Sequence, residues 1–125
     1  MFSLDRTNRA PIYEQIVQMI KKQVVAGILK PDDQVPSIRE MAILLGVNPN
    51  TVSKAYQELE RSEVLYTMKG KGAFIAETTG KTISEKARLA AVNQLKEAVV
   101  DLLIMGLSKE EIINRVEDIY KEGQI

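Results

Sequence analysis

The sequence predicts a mainly α-helical chain with one small β-hairpin near its middle. Three observations carry that reading. Apolar residues recur at helical spacing on both sides of residues 64–76. Two short runs, 64–67 and 73–76, flank Met68-Lys69-Gly70-Lys71-Gly72, a glycine-bearing connection of hairpin length. Serine, asparagine, proline and glycine stand at the ends of the helical patterns, where they start and stop helices.

The first helix begins at Pro11, whose missing N–H suits a first helical position, and stops at Gly27. Ile12, Ile16, Ile20 and Val24 recur every four residues with Tyr13 and Val17 beside them, which makes a core-facing stripe opposite Glu14, Gln15, Gln18, Lys21 and Lys22. Segment 28–36 holds Pro31, Asp32, Asp33 and Pro36 and reads as a turn, since each proline biases its predecessor to extended geometry. Adjacent carboxylates beside prolines are turn formers rather than a metal pair or an acid/base dyad. Ser37 caps a short second helix ending at Gly46, and Glu40 three residues on completes a capping box. Asn48 and Pro49 then supply a cap and a first-turn proline for a third helix over 49–62. Its core face is Val52, Ala55, Tyr56 and Leu59. Asn50, Ser53, Lys54 and Gln57 share the opposite face, and Glu58, Glu60 and Glu63 gather at the far end.

A two-stranded hairpin is marginal alone, so Leu65, Phe74 and Ile75 are expected to lean on the helices. Thr-Thr-Gly-Lys at 78–81 reads as a linker. The chain then divides into a domain over 1–76, a linker over 77–82 and a helical region over 83–125. In that last region Val92, Leu95, Val99 and Leu102 form a heptad-like seam, Gly106 stops the helix, and Ser108 with Glu111 makes a second capping box. Ile112, Val116, Ile119 and Tyr120 line one face of the final helix. So short a helical hairpin has too little interior for this apolar surface. It is expected to dimerise, through Val92, Leu95, Val99, Leu102, Ile112, Val116 and Ile119.

Composition narrows the function. The 125 residues are 45% apolar and 27% charged, a globular and not a disordered composition. With no cysteine and no histidine, disulfides, thiolate and imidazole metal sites, Ser-His-Asp triads and Cys-His nucleophiles are excluded, so neither an enzyme nor a cofactor or metal is expected. The longest nearly apolar stretch, 98–107, contains Asp101 and falls short of the ~20 residues of a membrane-spanning helix. Residues 1–10 lack the apolar core of a secretory signal, which points to the cytoplasm. Net charge is zero, with 10 Lys+Arg against 8 Asp+Glu over 1–76 and 7 against 9 over 77–125.

Two helices separated by Gly46 and Val47 are a helix-turn-helix candidate. Three helices followed by a lysine-tipped hairpin complete the winged helix-turn-helix order, in which the third helix fits the ~12 Å major groove of DNA. Ser37 and Arg39 at the start of the second helix are expected to reach phosphates. Asn50, Thr51 and Lys54 are the expected readers of base edges or sugar-phosphate, with Ser53 and Gln57 secondary. Lys69, Gly70, Lys71 and Gly72 form the wing tip. A nucleotide-binding phosphate loop is excluded there, because Gly72 leads into a strand where that motif requires Lys-Ser/Thr and a helix. The alternative is a protein-interaction module on a winged scaffold without DNA affinity, which zero net charge leaves open.

The runs Gln-Val-Pro-Ser-Ile-Arg-Glu-Met-Ala from Gln34, Gly-Val-Asn-Pro-Asn-Thr-Val-Ser-Lys-Ala-Tyr from Gly46 and Gly-Lys-Gly-Ala-Phe-Ile-Ala from Gly70 resemble the GntR family of bacterial transcriptional regulators. The resemblance covers 10–76. The short helical tail resembles the YtrA subfamily, whose C-terminal part serves dimerisation and lacks a large effector domain. The resemblance implies a homodimeric repressor on a palindromic operator, with DNA contacts at Ser37, Arg39, Asn50, Thr51, Lys54 and 69–72. Many relatives carry arginine at the positions of Pro49 and Ser53. Glycine is usual at the positions of Asp32 and Glu63, so Glu63 must either adopt a left-handed backbone or end its helix differently.

Overall fold

Helical periodicity and caps place α1 at Ile12–Val25, α2 at Ile38–Leu45 and α3 at Pro49–Arg61, followed by β1 at Leu65–Met68, β2 at Gly72–Ile75, α4 at Glu85–Ile104 and α5 at Lys109–Glu122. The computed structural model describes residues 2–77 and 84–122 and divides the chain into two compact units, 1–79 and 80–125. The expected linker over 77–82 lies, apart from Glu77, outside the described residues.

In the first unit α3 packs against both α1 and α2. Ile16, Ile20, Met41, Val52, Leu59 and Ile75 are fully buried between them. Tyr56 is buried on the same face of α3, and its hydroxyl donates to the Pro36 carbonyl at 2.6 Å. Burial pushes that phenol's pKa up. Tyr13 and Val24, expected in the core stripe of α1, are only half-buried. Pro11 stands one position before the helix as its N-cap, with an extended ψ of 145°. Its ring restricts φ alone and leaves ψ to the tertiary fold.

The β-hairpin is antiparallel, pairing Leu65 with Ile75 and Met68 with Gly72. Both strands lie one residue nearer the turn than the sequence suggests. Gly70 at φ 80° and a bond from the Lys71 N–H to the Met68 carbonyl close the chain over three residues, Lys69-Gly70-Lys71. Successive strand residues face opposite ways, so Phe74 and Ile75 cannot both lean on the helices. Ile75 is buried, while Phe74 stacks on Tyr66 across the strands at 5.5 Å between ring centroids. Residues 32–35, expected only as a turn, also pair with β2. The Asp32 N–H donates to the Ile75 carbonyl at 2.7 Å, the Ile75 N–H to the Asp33 carbonyl at 2.8 Å and the Val35 N–H to the Ala73 carbonyl at 3.0 Å. The wing is thereby tied to the approach to α2 and does not rest on side-chain packing alone.

Residues 2–10 also take part in the fold. Phe2 and Leu4 pack against the core, and Arg6 donates a guanidinium hydrogen bond to the Leu45 carbonyl at 2.8 Å. A cation at the C-terminal end of α2 bonds a last-turn helix carbonyl and suits the helix dipole.

α1, α3 and α4 end in the same hydrogen-bonded cap. The second residue past the capping position bonds back five residues, as Ile28 to Gln23, Val64 to Leu59 and Leu107 to Leu102. The left-handed residue is Gly27 in α1 and Gly106 in α4, but Glu63 at φ 64° in α3. A side chain in that conformation is strained. Glu63→Gly is therefore expected to stabilise the first unit by about 0.5–1 kcal/mol, net of the glycine's own chain entropy, read as a rise in urea midpoint at unchanged slope.

In the second unit the Ser84 hydroxyl caps α4 by accepting from the Ala87 N–H at 3.1 Å, and Ser108 with Glu111 forms the expected capping box on α5. α4 buries no residue in the single chain: Leu89, Leu95 and Val100 are each more than half exposed. Among the expected dimerisation residues, Val92, Leu95, Val116 and Ile119 are exposed, and Val99 and Leu102 are half-buried. Ile112 departs from the expectation, being already buried at 9% exposure in the single chain. No helix among the described residues is long and apolar enough to cross a membrane.

Candidate nucleic-acid interface

The first turn of α2 is built by the capping box at Ser37. The Glu40 N–H donates to the Ser37 hydroxyl oxygen and the Ser37 N–H to the Glu40 carboxylate, both at 3.1 Å. The hydrogen bond from the Ser37 backbone holds the Glu40 carboxyl below its ordinary pKa. The Ser37 side chain also hydrogen-bonds the Glu40 carboxylate, and Arg39 stands exposed two residues later.

The first turn of α3 is capped by Asn48, whose side-chain oxygen accepts from the Asn50 N–H at 2.8 Å. This leaves the Asn50 side chain exposed, with Thr51 half-buried beside it. One turn on, the Lys54 ammonium lies 4.0 Å from the centroid of the Tyr13 ring, a cation–π contact between α3 and α1. The Tyr13 hydroxyl donates to Glu14 at 3.3 Å, and the charge of Glu14 raises the phenol's pKa. Tyr13 therefore holds the lysine at the edge of the α3 surface, a role that its place in an apolar stripe concealed.

An open groove of about 470 Å³ runs beside α3. It brings together Ser37 and Arg39 from α2, Ser53 and Gln57 from α3, and Thr67 and Gly72 from the two strands. Gln57 donates to the Ser53 hydroxyl at 3.3 Å, which links the two α3 residues one turn apart. Asn50, Thr51 and Lys54 are not in the lining of this groove, and Lys69, Gly70 and Lys71 stand at the exposed turn of the wing. The sequence reading missed Glu60 and Thr67. Both line the groove, with the Thr67 hydroxyl donating to Glu60 at 3.3 Å. Only the hairpin's register brings a strand threonine to the last turn of α3, and helical periodicity carries no such information. Glu58, another of the acids at this end, is paired with Arg61 at 2.6 Å, and that hydrogen bond lowers its pKa.

Residues 12–75 match the family profile described as bacterial regulatory proteins, gntR family. The chain belongs to the GntR family. It is 40% identical over 119 residues to the HTH-type transcriptional repressor YtrA of Bacillus subtilis strain 168, covering 95% of this chain and 92% of that protein. A crystal structure described as a transcriptional antiterminator from Listeria monocytogenes EGD-e superposes with a TM-score of 0.91 at 50% identity, covering 98% of this chain and 92% of that one. The DNA-binding domain of AraR, solved in complex with the operator ORX1, superposes with a TM-score of 0.56 at 28% identity over 61% of this chain and 96% of that one. As a GntR member the chain is a transcriptional regulator and not an enzyme, with the expected winged helix-turn-helix followed by C-terminal helices.

Proposed function

We propose that this GntR protein is a cytoplasmic homodimeric repressor that binds a palindromic operator through α3 and the wing. The observation that carries the reading is the groove in which the α2 N-terminus, the polar face of α3 and the wing strands meet. Ser37 and Arg39 hold backbone phosphates there. Asn50, Thr51, Ser53 and Lys54 contact base edges or sugar-phosphate from the recognition helix. Lys69 and Lys71, joined by Gly70 and followed by Gly72, contact flanking phosphates. A second copy covers the exposed apolar surface of α4 and α5 and sets the two recognition helices about one DNA turn (~34 Å) apart. The repressor name of the YtrA relative and the operator complex of the AraR domain support this reading.

Fluorescence anisotropy on the duplex upstream of the protein's own gene, against a shuffled duplex at two salt concentrations, tests it. Arg39→Ala and Lys54→Ala are each expected to weaken binding by about tenfold, as for lost hydrogen bonds to charged groups. Each lost phosphate contact lowers the salt slope by about 0.9. Dimer mass by light scattering stays unchanged in both. Undiminished affinity in both variants overturns the site. Weak, salt-insensitive binding of the unaltered protein to either duplex favours the interaction-module alternative.

A further inference from the structure

We propose that Gln34 is a positioning residue for DNA binding, its side-chain amide locking the wing turn so that Lys69 and Lys71 are ordered before DNA arrives. This rests on the reading above, in which the wing lysines meet phosphates.

Gln34 sits outside the hairpin in sequence, in the stretch that approaches α2. Its backbone bridges Phe74 of β2 in antiparallel fashion, and the flanking Asp33 and Val35 hold the hydrogen bonds that extend the sheet by this third segment. From that anchored position its side chain reaches the turn, where Nε2 donates to the Lys71 carbonyl at 2.8 Å across 37 residues of chain. Gly72 completes the lock. Its φ of +120° is one that residues with a side chain rarely adopt, and a Cβ there would lie 2.8 Å from Gln34 Nε2. The space a side chain would fill is the space the amide occupies.

The consequence concerns the turn's freedom. Lys69-Gly70-Lys71-Gly72 alternates two long cations with two glycines, a sequence that alone would sample many conformations. The hairpin contributes one turn bond, from the Lys71 N–H to the Met68 carbonyl. The Gln34 amide fixes the carbonyl of the same residue, so both polar groups of Lys71's backbone are held, one by the hairpin and one by the body of the domain. Lysines ordered in the unbound protein need not be ordered on binding, and such preorganisation raises affinity without adding a contact. Gln34 is itself exposed, so its amide contributes little to the core.

A double-mutant cycle tests this on a fluorescein-labelled random-sequence duplex at about 50 mM salt, since phosphate contacts are independent of sequence. Gln34→Met keeps the side chain's length and removes the amide. It is expected to weaken binding about tenfold in the unaltered wing and by less than about twofold when Lys69→Ala and Lys71→Ala are also present. A role confined to fold stability would weaken both backgrounds alike. Equal effects in the two backgrounds, or no effect in either, overturn the assignment of Gln34 and leave the wing reading standing, provided that the lysine substitutions alone weaken binding. If the lysine substitutions alone change nothing, the wing does not meet phosphates, and the proposal falls with that reading.

Discussion

Leu95→Glu is expected to convert the protein to a monomer at micromolar concentration and to weaken operator binding by about 10² to 10⁴-fold. The substitution site is 57% exposed in the single chain, on a helix that buries none of its residues. A glutamate there leaves α4 intact, since the position has no interior to disrupt and glutamate is a good helix former. Against a second copy the effect reverses. The apolar surface over Leu95 would be withdrawn from water on dimerisation, and a carboxylate placed there must be desolvated without a partner or keep the surfaces apart. The loss of operator affinity follows from connectivity and not from any DNA contact. Two half-sites read by one dimer bind with an effective concentration for the second event in the millimolar range, and two separate monomers forgo that gain. Light scattering and anisotropy separate the steps. A dimeric mass for Leu95→Glu overturns the seam, and a monomer that binds the operator undiminished overturns the proposed palindromic mode.

Helices α2 to α5 were legible in the sequence for one reason: a helix writes its faces at fixed intervals, and capping residues such as Ser37, Asn48 and Ser108 write its ends. Legibility failed where geometry depends on residues far apart in the chain. The pairing of 32–35 with β2 rests on hydrogen bonds between backbones, which leave little trace in side-chain pattern, and prolines at 31 and 36 read naturally as a turn. Arg6 and Gln34 each donate to a carbonyl of a distant element, Leu45 and Lys71, and nothing in the neighbouring sequence marks either side chain as bonded so far away. Phe74 shows the converse. Alternation alone would have turned it away from Ile75, and its apolar character obscured a period that the run 73–76 contained. Within the candidate site, Ser37 was foreseen as a helix cap and Arg39 and Ser53 as positions on helix faces, whereas the register of the hairpin brings Thr67 into the groove beside Glu60.

Leu59→Ala is expected to destabilise the first unit by about 2–5 kcal/mol, while Ile43→Ala, an aliphatic truncation on the neighbouring helix, changes stability by less than about 0.5 kcal/mol. Position decides the difference. Leu59 is fully buried on α3, where the helix packs on α1 and leads through its cap into β1, while Ile43 is 76% exposed on α2. Truncating Leu59 removes apolar atoms from the close-packed core of the unit, so collapse around the cavity is restricted and much of its cost remains. For a unit of this size, total stability is only about 4–11 kcal/mol by the usual per-residue range. The loss is then a large share of the whole, and the α3 amides, which exchange through global opening of the unit, should lose protection by a factor of about 30 to several thousand. Hydrogen exchange followed at Val52 and Ala55 reads this inside the first unit without interference from the helical hairpin of the second. Unchanged protection in Leu59→Ala would mean that α3 is not the keystone of this core, and that the groove on its far face is held by the hairpin and the segment over 32–35.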